Sequence, residues 1–403
     1  TTDTDTTDTD TTDTDTTDTD TTENTFVSKA ALGQQVFADP RFSFNRTQSC
    51  ATCHNPDNGF IDDRNNGVAA AVSLGDDGIS LGNRNSPTVS YAALTPNFTG
   101  NNQNARGGQF LDGRAADLHT QAGEPFLNPL EMNMPDRVSV VARMMESTEY
   151  LAAFRDFYGD TVFDDTNSAF LALTDVLAEF QETPAVSPFD SKYDRALAGT
   201  YTMSAPELQG MNLFFSNQTS CLECHHVDNL PNRSPNELFT NHRYFSIGTP
   251  ANQTLNNHLS SIGQQAGLVA NGDLGLFHNP AVNNNPQTRG LFKVPTLRNI
   301  AVTGPYMHNG TFSNLETVLH FYDHRGGQRG GGNGGGGNRR PINPETGQPW
   351  GNPEVNANIS NNRLRMPGLN NNEVNALECF LRTLTDEQFE EDLPPLRAGL
   401  NCS

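Results

Sequence analysis

Apolar residues recur at helical spacing in five segments of this chain, and strand-like alternation is sparse. Ser28 can cap a short helix carrying Ala31, Leu32 and Phe37. Further on, Val138, Val141, Ala142 and Met145 share one helical face, and Phe170, Leu173, Val176, Leu177 and Phe180 share another. Pro184 and Pro188 then punctuate the chain. A second start follows, with Ser204 capping a helix that holds Leu208, Leu213 and Phe214. A last helix near Asn372–Leu384 presents Val374, Leu377, Leu381 and Leu384. Leu32-Gly33-x-x-x-Phe37 and Leu208-x-Gly210-x-x-x-Phe214 match in outline, which reads as an internal duplication. The predicted class is all-α, with two units at residues 23–185 and 186–403 joined by long ordered loops.

Composition adjusts this picture at two places. Residues 1–22 are only Thr and Asp, which cannot bury apolar surface and repel one another, so a disordered spacer is expected, inert or serving as a tether. Stretched out, it reaches at most about 75 Å. No signal peptide is visible, so the expectation is either that one has been removed or that the sequence begins after it. Near 326–337, nine glycines in twelve residues are expected to make a flexible insertion, and with no helix following them they do not suggest a phosphate cradle. The net charge is −22, and eight of the acidic side chains belong to the leading repeat. The remainder is still acidic, which argues against nucleic acid and anionic membranes. No apolar run of membrane-spanning length exists. At 34 % hydrophobic residues, the core calls for more than side chains to fill it.

The six cysteines carry the chemistry. Cys50-Ala51-Thr52-Cys53-His54 and Cys221-Leu222-Glu223-Cys224-His225 both follow the C-x-x-C-H pattern of c-type haem attachment, in which two thiols meet the vinyl groups and the His binds iron. Composition alone yields about 0.002 such matches per chain, so two at the heads of similar units are not accidental. A zinc site would need four converging ligands, and a thioredoxin-like pair a preceding strand. Covalent haem implies an extracytoplasmic setting, where the remaining Cys379 and Cys402 can close a disulfide; two buried free thiols are the alternative. The sixth ligand of each iron then decides function, because an open iron reacts with peroxide and a filled one passes electrons. No His lies between the first motif and residue 118, so the first haem is expected to be open. Near the second, Tyr306, Met307, His308, His320, Tyr322 and His324 are all candidates.

Together with these motifs, Phe110-Leu111-Asp112-Gly113-Arg114, Asn128-Pro129-Leu130-Glu131-Met132, Lys293-Val294-Pro295-Thr296-Leu297-Arg298-Asn299 and Pro305-Tyr306-Met307-His308-Asn309-Gly310 resemble the bacterial dihaem cytochrome c peroxidase/MauG superfamily over roughly residues 30–390. The resemblance implies a peroxidatic haem on Cys50, Cys53 and His54, with Glu131 as acid/base and Gln121 beside it. It implies an electron-transfer haem on Cys221, Cys224 and His225. Its distal ligand is expected fourteen residues after His308, at Tyr322, as in the MauG-like branch. Asn85, Thr303 and Pro305 match a calcium site between the haems. Two positions depart from the pattern. Leu111 stands where the family has an inter-haem Trp, and Thr219 where MauG has a surface Trp; the single Trp is Trp350. The expectation is a periplasmic or cell-surface dihaem peroxidase fed by a small cytochrome c or cupredoxin. The alternatives are a MauG-like oxidase acting on a partner protein and a non-catalytic dihaem electron-transfer cytochrome.

Overall fold

The computed structural model describes residues 23–226, 233–264, 272–326, 341–364 and 368–403. The Thr/Asp repeat lies outside these residues, as does the glycine insertion beyond Gly326, itself the last residue of a helix. In chain order the helices are α1 (Lys29–Ala38), α2 (Cys50–Cys53), α3 (Leu118–Leu127), α4 (Arg137–Met145), α5 (Thr148–Tyr158), α6 (Thr166–Gln181), α7 (Lys192–Leu197), α8 (Ala205–Phe214), α9 (Gln253–Ser261), α10 (Leu315–Gly326) and α11 (Asn371–Arg382). One antiparallel ribbon joins β1 (Tyr244–Phe245) to β2 (Phe292–Lys293), with Tyr244 opposite Lys293. The fold is therefore mostly helical with few strands. Side-chain caps set many helix starts. Ser28, Asp117, Asp136, Ser147 and Asp165 each accept a backbone N–H three residues on, and Ser204 forms a capping box with Glu207.

The matching motifs of the two halves have a packing reason. α1 crosses α6 and α8 crosses α11, each at a glycine. A Cβ on Gly33 would stand 1.8 Å from the Val176 carbonyl oxygen, and one on Gly210 would stand 1.8 Å from that of Ala376. The phenylalanine four residues later then meets the partner helix in the same way twice. Phe37 and Phe180 have centroids 5.2 Å apart at 56°, and Phe214 and Phe380 have centroids 5.2 Å apart at 51°. Gly210→Ala should cost about 3 kcal/mol or more, because backbone meets backbone and neither helix can yield by a rotamer change. Ala is the better helix former, so propensity alone predicts the opposite sign. Chemical unfolding of the holoprotein checks this, and an unchanged midpoint would mean the helices separate freely.

Two large apolar cores result. The first gathers Leu32, Phe37, Phe126, Phe154, Phe170 and their neighbours up to Val186, completed by Val302 and Phe389 from the far end of the chain. The second runs from Tyr193 to Leu384 and includes Phe214, Phe239 and Phe380. A disulfide between Cys379 and Cys402, with Cα atoms 5.3 Å apart, ties the C-terminal strap to α11, as expected from the leftover cysteine pair. Two expectations need correction. On α4 the buried face is Val140, Val141 and Met144, while Val138 and Met145 are exposed. The adjacent methionines fit two faces equally well, and the structure turns the other one inward. On α8, Leu208 is exposed, and Gly210, Met211 and Phe214 make the contact.

Candidate functional site

One cavity of about 1250 Å³ is walled by both C-x-x-C-H turns; Cys50, Cys53, His54, Cys221, Cys224 and His225 all face it. That exceeds the roughly 300–1,000 Å³ of an ordinary small-molecule pocket. The four thiols are not paired with one another. Each histidine is oriented identically from behind. His54 Nδ1 lies 3.2 Å from the Phe60 carbonyl oxygen, and His225 Nδ1 lies 3.0 Å from that of Phe239. Both phenylalanines adopt left-handed backbone, φ 54° and 53°, which turns those carbonyls toward the rings. The contact fixes the proton on Nδ1 and leaves Nε2 as a lone pair. Burial lowers both imidazole pKa values, that of His225 to about 4, so the neutral, ligating form prevails. Two thiols and one neutral imidazole per turn, around a large apolar cavity, fit covalent haem twice over.

Gln121, on α3, and Glu131, in the turn after it, line the same cavity. Pro125 and Asn128 end the helix and shape that turn. Glu131 N–H donates to the Asn128 carbonyl at 3.0 Å, and its own carbonyl accepts from Asp76 N–H at 2.8 Å. The side-chain Oε1 accepts from Asn128 Nδ2 at 2.7 Å. Burial pushes the Glu131 carboxyl above the ordinary range against the pull of Arg114. Arg114 is stacked 3.5 Å over the Phe110 ring and bonded to Glu124 and Asp112. The Glu131 charge is felt at both thiols of the first turn, adding to the burial that raises Cys50 to about 12 and Cys53 to about 11.

The six candidates for the second distal ligand separate clearly. Tyr306, Met307, His308 and Tyr322 line the cavity; His320 and His324 do not. The Tyr306 hydroxyl donates to the Ile300 carbonyl at 3.0 Å, and His308 Nε2 is engaged with Glu354 at 2.7 Å while its ring stacks on Phe292. Tyr322, on α10, has no hydrogen-bond partner for its hydroxyl among the described residues. Burial raises its pKa, reinforced by the Cys224 and Cys221 thiols.

Asn85, Thr303 and Pro305 also line the cavity. Asn85 N–H donates to the His308 carbonyl at 2.8 Å, linking the first half to the Pro305–Gly310 turn. No group of three or more His, Cys, Asp or Glu side chains gathers among the described residues, so a cation there would rest on amide, hydroxyl and carbonyl oxygens. Leu111 faces the cavity and its carbonyl accepts from Lys293 N–H at 2.9 Å. Thr219 is buried and donates to the Leu213 carbonyl, and Trp350 packs against Phe312, Phe321 and His324. Sequence reasoning missed several wall residues. Arg84 bridges Asp112 at 2.7 Å and Asp273 at 2.9 Å, and burial lowers the Lys293 pKa to about 8.

A family model described as di-haem cytochrome c peroxidase matches residues 27–202. The methylamine utilization protein MauG of Paracoccus denitrificans is 45% identical over 376 residues, covering 92% of this chain and 92% of that one. The chain belongs to the di-haem cytochrome c peroxidase/MauG family. It is accordingly a peroxide-using oxidoreductase carrying two c-type haems. The cytochrome c551 peroxidase of Nitrosomonas europaea is 29% identical, covering 92% of this chain and 84% of that one. Among solved structures, the diheme peroxidase BthA from Burkholderia thailandensis superposes with a TM-score of 0.75 at 26% identity, covering 94% of this chain and 90% of that one. Among the described residues, no helix is long and apolar enough to cross a membrane.

Proposed function

We propose that the chain is an extracytoplasmic dihaem peroxidase, with one haem unit in residues 23–185 and the other in 186–403, that reduces hydrogen peroxide beside Cys50, Cys53 and His54. Haem iron, when bound, supplies the redox chemistry on the peroxide. Glu131 holds and moves the proton between the two peroxide oxygens, so that the outer one leaves as water. Gln121 orients the peroxide by hydrogen bonding. Tyr322 would ligate the second iron, and electrons from a small cytochrome c or cupredoxin enter on that side. Asn85, Thr303 and Pro305 would hold Ca²⁺ between the haems. The observation that carries the reading is a half-buried carboxyl, Glu131, held by Asn128 and sharing one cavity with the first cysteine pair, its pKa raised by desolvation. The Cys379–Cys402 disulfide supports an oxidising compartment.

A second reading, a MauG-like oxidase of a partner protein, is favoured by the 45% identity to MauG across nearly both chains. Peroxide added to the ferric holoprotein with reduced cytochrome c separates the two. Rapid, continuous oxidation of the cytochrome is the expected result. A long-lived oxidised protein that ignores the cytochrome overturns the peroxidase reading in favour of the second.

A further inference from the structure

Of the eight tyrosines, three line the haem cavity: Tyr91, Tyr306 and Tyr322. Of these three, Tyr91 alone directs its hydroxyl at a carboxylate among the described residues, donating to Asp386 Oδ1 at 2.6 Å. Asp386 is fully buried and held from its other side. Its Oδ2 accepts from Asn299 Nδ2 at 2.7 Å, and its N–H donates to Asn299 Oδ1 at 2.8 Å. The Tyr91 oxygen also accepts from Phe189 N–H at 3.1 Å, so the phenol oxygen keeps a donor if its own proton leaves.

Tyr91 lines the same cavity as His54 and His225, and its neighbours lead to both histidines. Five residues before it, Ser86 Oγ lies 3.4 Å from His54 Nδ1. Over its ring, at 5.5 Å, sits the Arg298 guanidinium, which donates from Nε to the Glu237 carbonyl at 2.8 Å. Glu237 Oε1 accepts from Phe239 N–H at 3.0 Å, and the Phe239 carbonyl orients His225. The position at which the family resemblance implies an inter-haem Trp is Leu111 here.

Resting on the peroxidase reading, we propose that Tyr91 is a redox-active residue of the haem cavity, with Asp386 as its proton acceptor. One electron passes from the Tyr91 phenol to the haem pair oxidised by hydrogen peroxide. The phenolic O–H bond breaks, and the proton forms a new O–H bond on Asp386 Oδ1. The products are a neutral phenoxyl radical and a neutral carboxyl. An electron from the external donor reverses both transfers. A phenol radical cation is disfavoured beside Arg298, so proton and electron leave together. Burial raises the Asp386 pKa to about 6, which suits a carboxylate that must accept a proton. Neither Tyr306 nor Tyr322 has such an acceptor.

The test is freeze-quench electron paramagnetic resonance of the ferric holoprotein after adding peroxide, read beside the haem absorption. The expected result is a radical whose hyperfine pattern narrows with ring-deuterated tyrosine, lost in Tyr91→Phe and formed about 10²-fold more slowly in Asp386→Asn. A haem band that responds to peroxide with no tyrosine radical, or with one undiminished in Tyr91→Phe, overturns the inference alone. A haem band indifferent to peroxide overturns the peroxidase reading and the inference with it. Should Tyr91→Phe fail to load haem, peptide mapping of a nitroso spin-trap adduct on the wild-type protein decides. An adduct at Tyr91 supports the proposal, and one confined to other tyrosines overturns it.

Discussion

Glu131→Gln should lower peroxide turnover by about 10²–10⁴-fold while both haems stay attached, the usual contribution of a positioned acid/base group. The substitution keeps the volume and the Asn128 contact but removes the ability to hold and release a proton. Its effect is separable from misfolding because the turn is held by its backbone, through Asn128 and Asp76. Peroxide-dependent oxidation of reduced cytochrome c reads the rate, and the pyridine haemochrome spectrum reads haem content. Full haem content with unaffected turnover would sink the acid/base role. Loss of haem would show instead that Glu131 supports the cavity. The raised pKa has a direct consequence for the acid/base cycle. Burial raises the proton affinity of the carboxyl, which favours its taking up the peroxide proton and handing it to the leaving oxygen.

The parts of the molecule legible in the sequence are those whose physics is local. Covalent haem attachment needs its thiols and imidazole within one turn, so Cys50–His54 and Cys221–His225 stand out unaided. Helix caps are equally local, and Ser28 and Ser204 perform as expected. The Gly33 and Gly210 motifs were visible as a repeat, but their reason, a carbonyl pressed against each glycine, needed the crossing helix. Contacts between distant segments left no trace. Tyr91 and Asp386 are 295 residues apart, Arg84 and Asp273 are 189 apart, and His308 meets Glu354 across 46. Periodicity says which face of an element is apolar and nothing about which element covers it. Even the face is uncertain where apolar residues are adjacent, as at Met144 and Met145 on α4.

Tyr322→Met should raise the reduction potential of the second haem by on the order of 100 mV or more, within the roughly 0.8 V range that axial ligands command. The sign follows from charge. A phenolate neutralises ferric iron better than ferrous, whereas a thioether is neutral and soft and favours the reduced state. Burial favours the protonated Tyr322 phenol, and the charge of a ligated iron is what would compensate its ionisation. Losing that bond should therefore also abolish the phenolate-to-iron absorption of the ferric protein. Potentiometric titration followed optically measures both. An unchanged potential would transfer the ligand role to Met307, the other cavity-lining candidate whose side chain is not tied elsewhere by a hydrogen bond. The consequence reaches beyond one haem. With Tyr322 as its ligand, the second iron would stay oxidised at low potential, and the first would meet peroxide without a stored electron nearby. Under that condition the second electron for peroxide reduction would have to come from the protein or from the far haem. Tyr322→Met should let the half-reduced enzyme form, and peroxide should then be consumed without a protein radical.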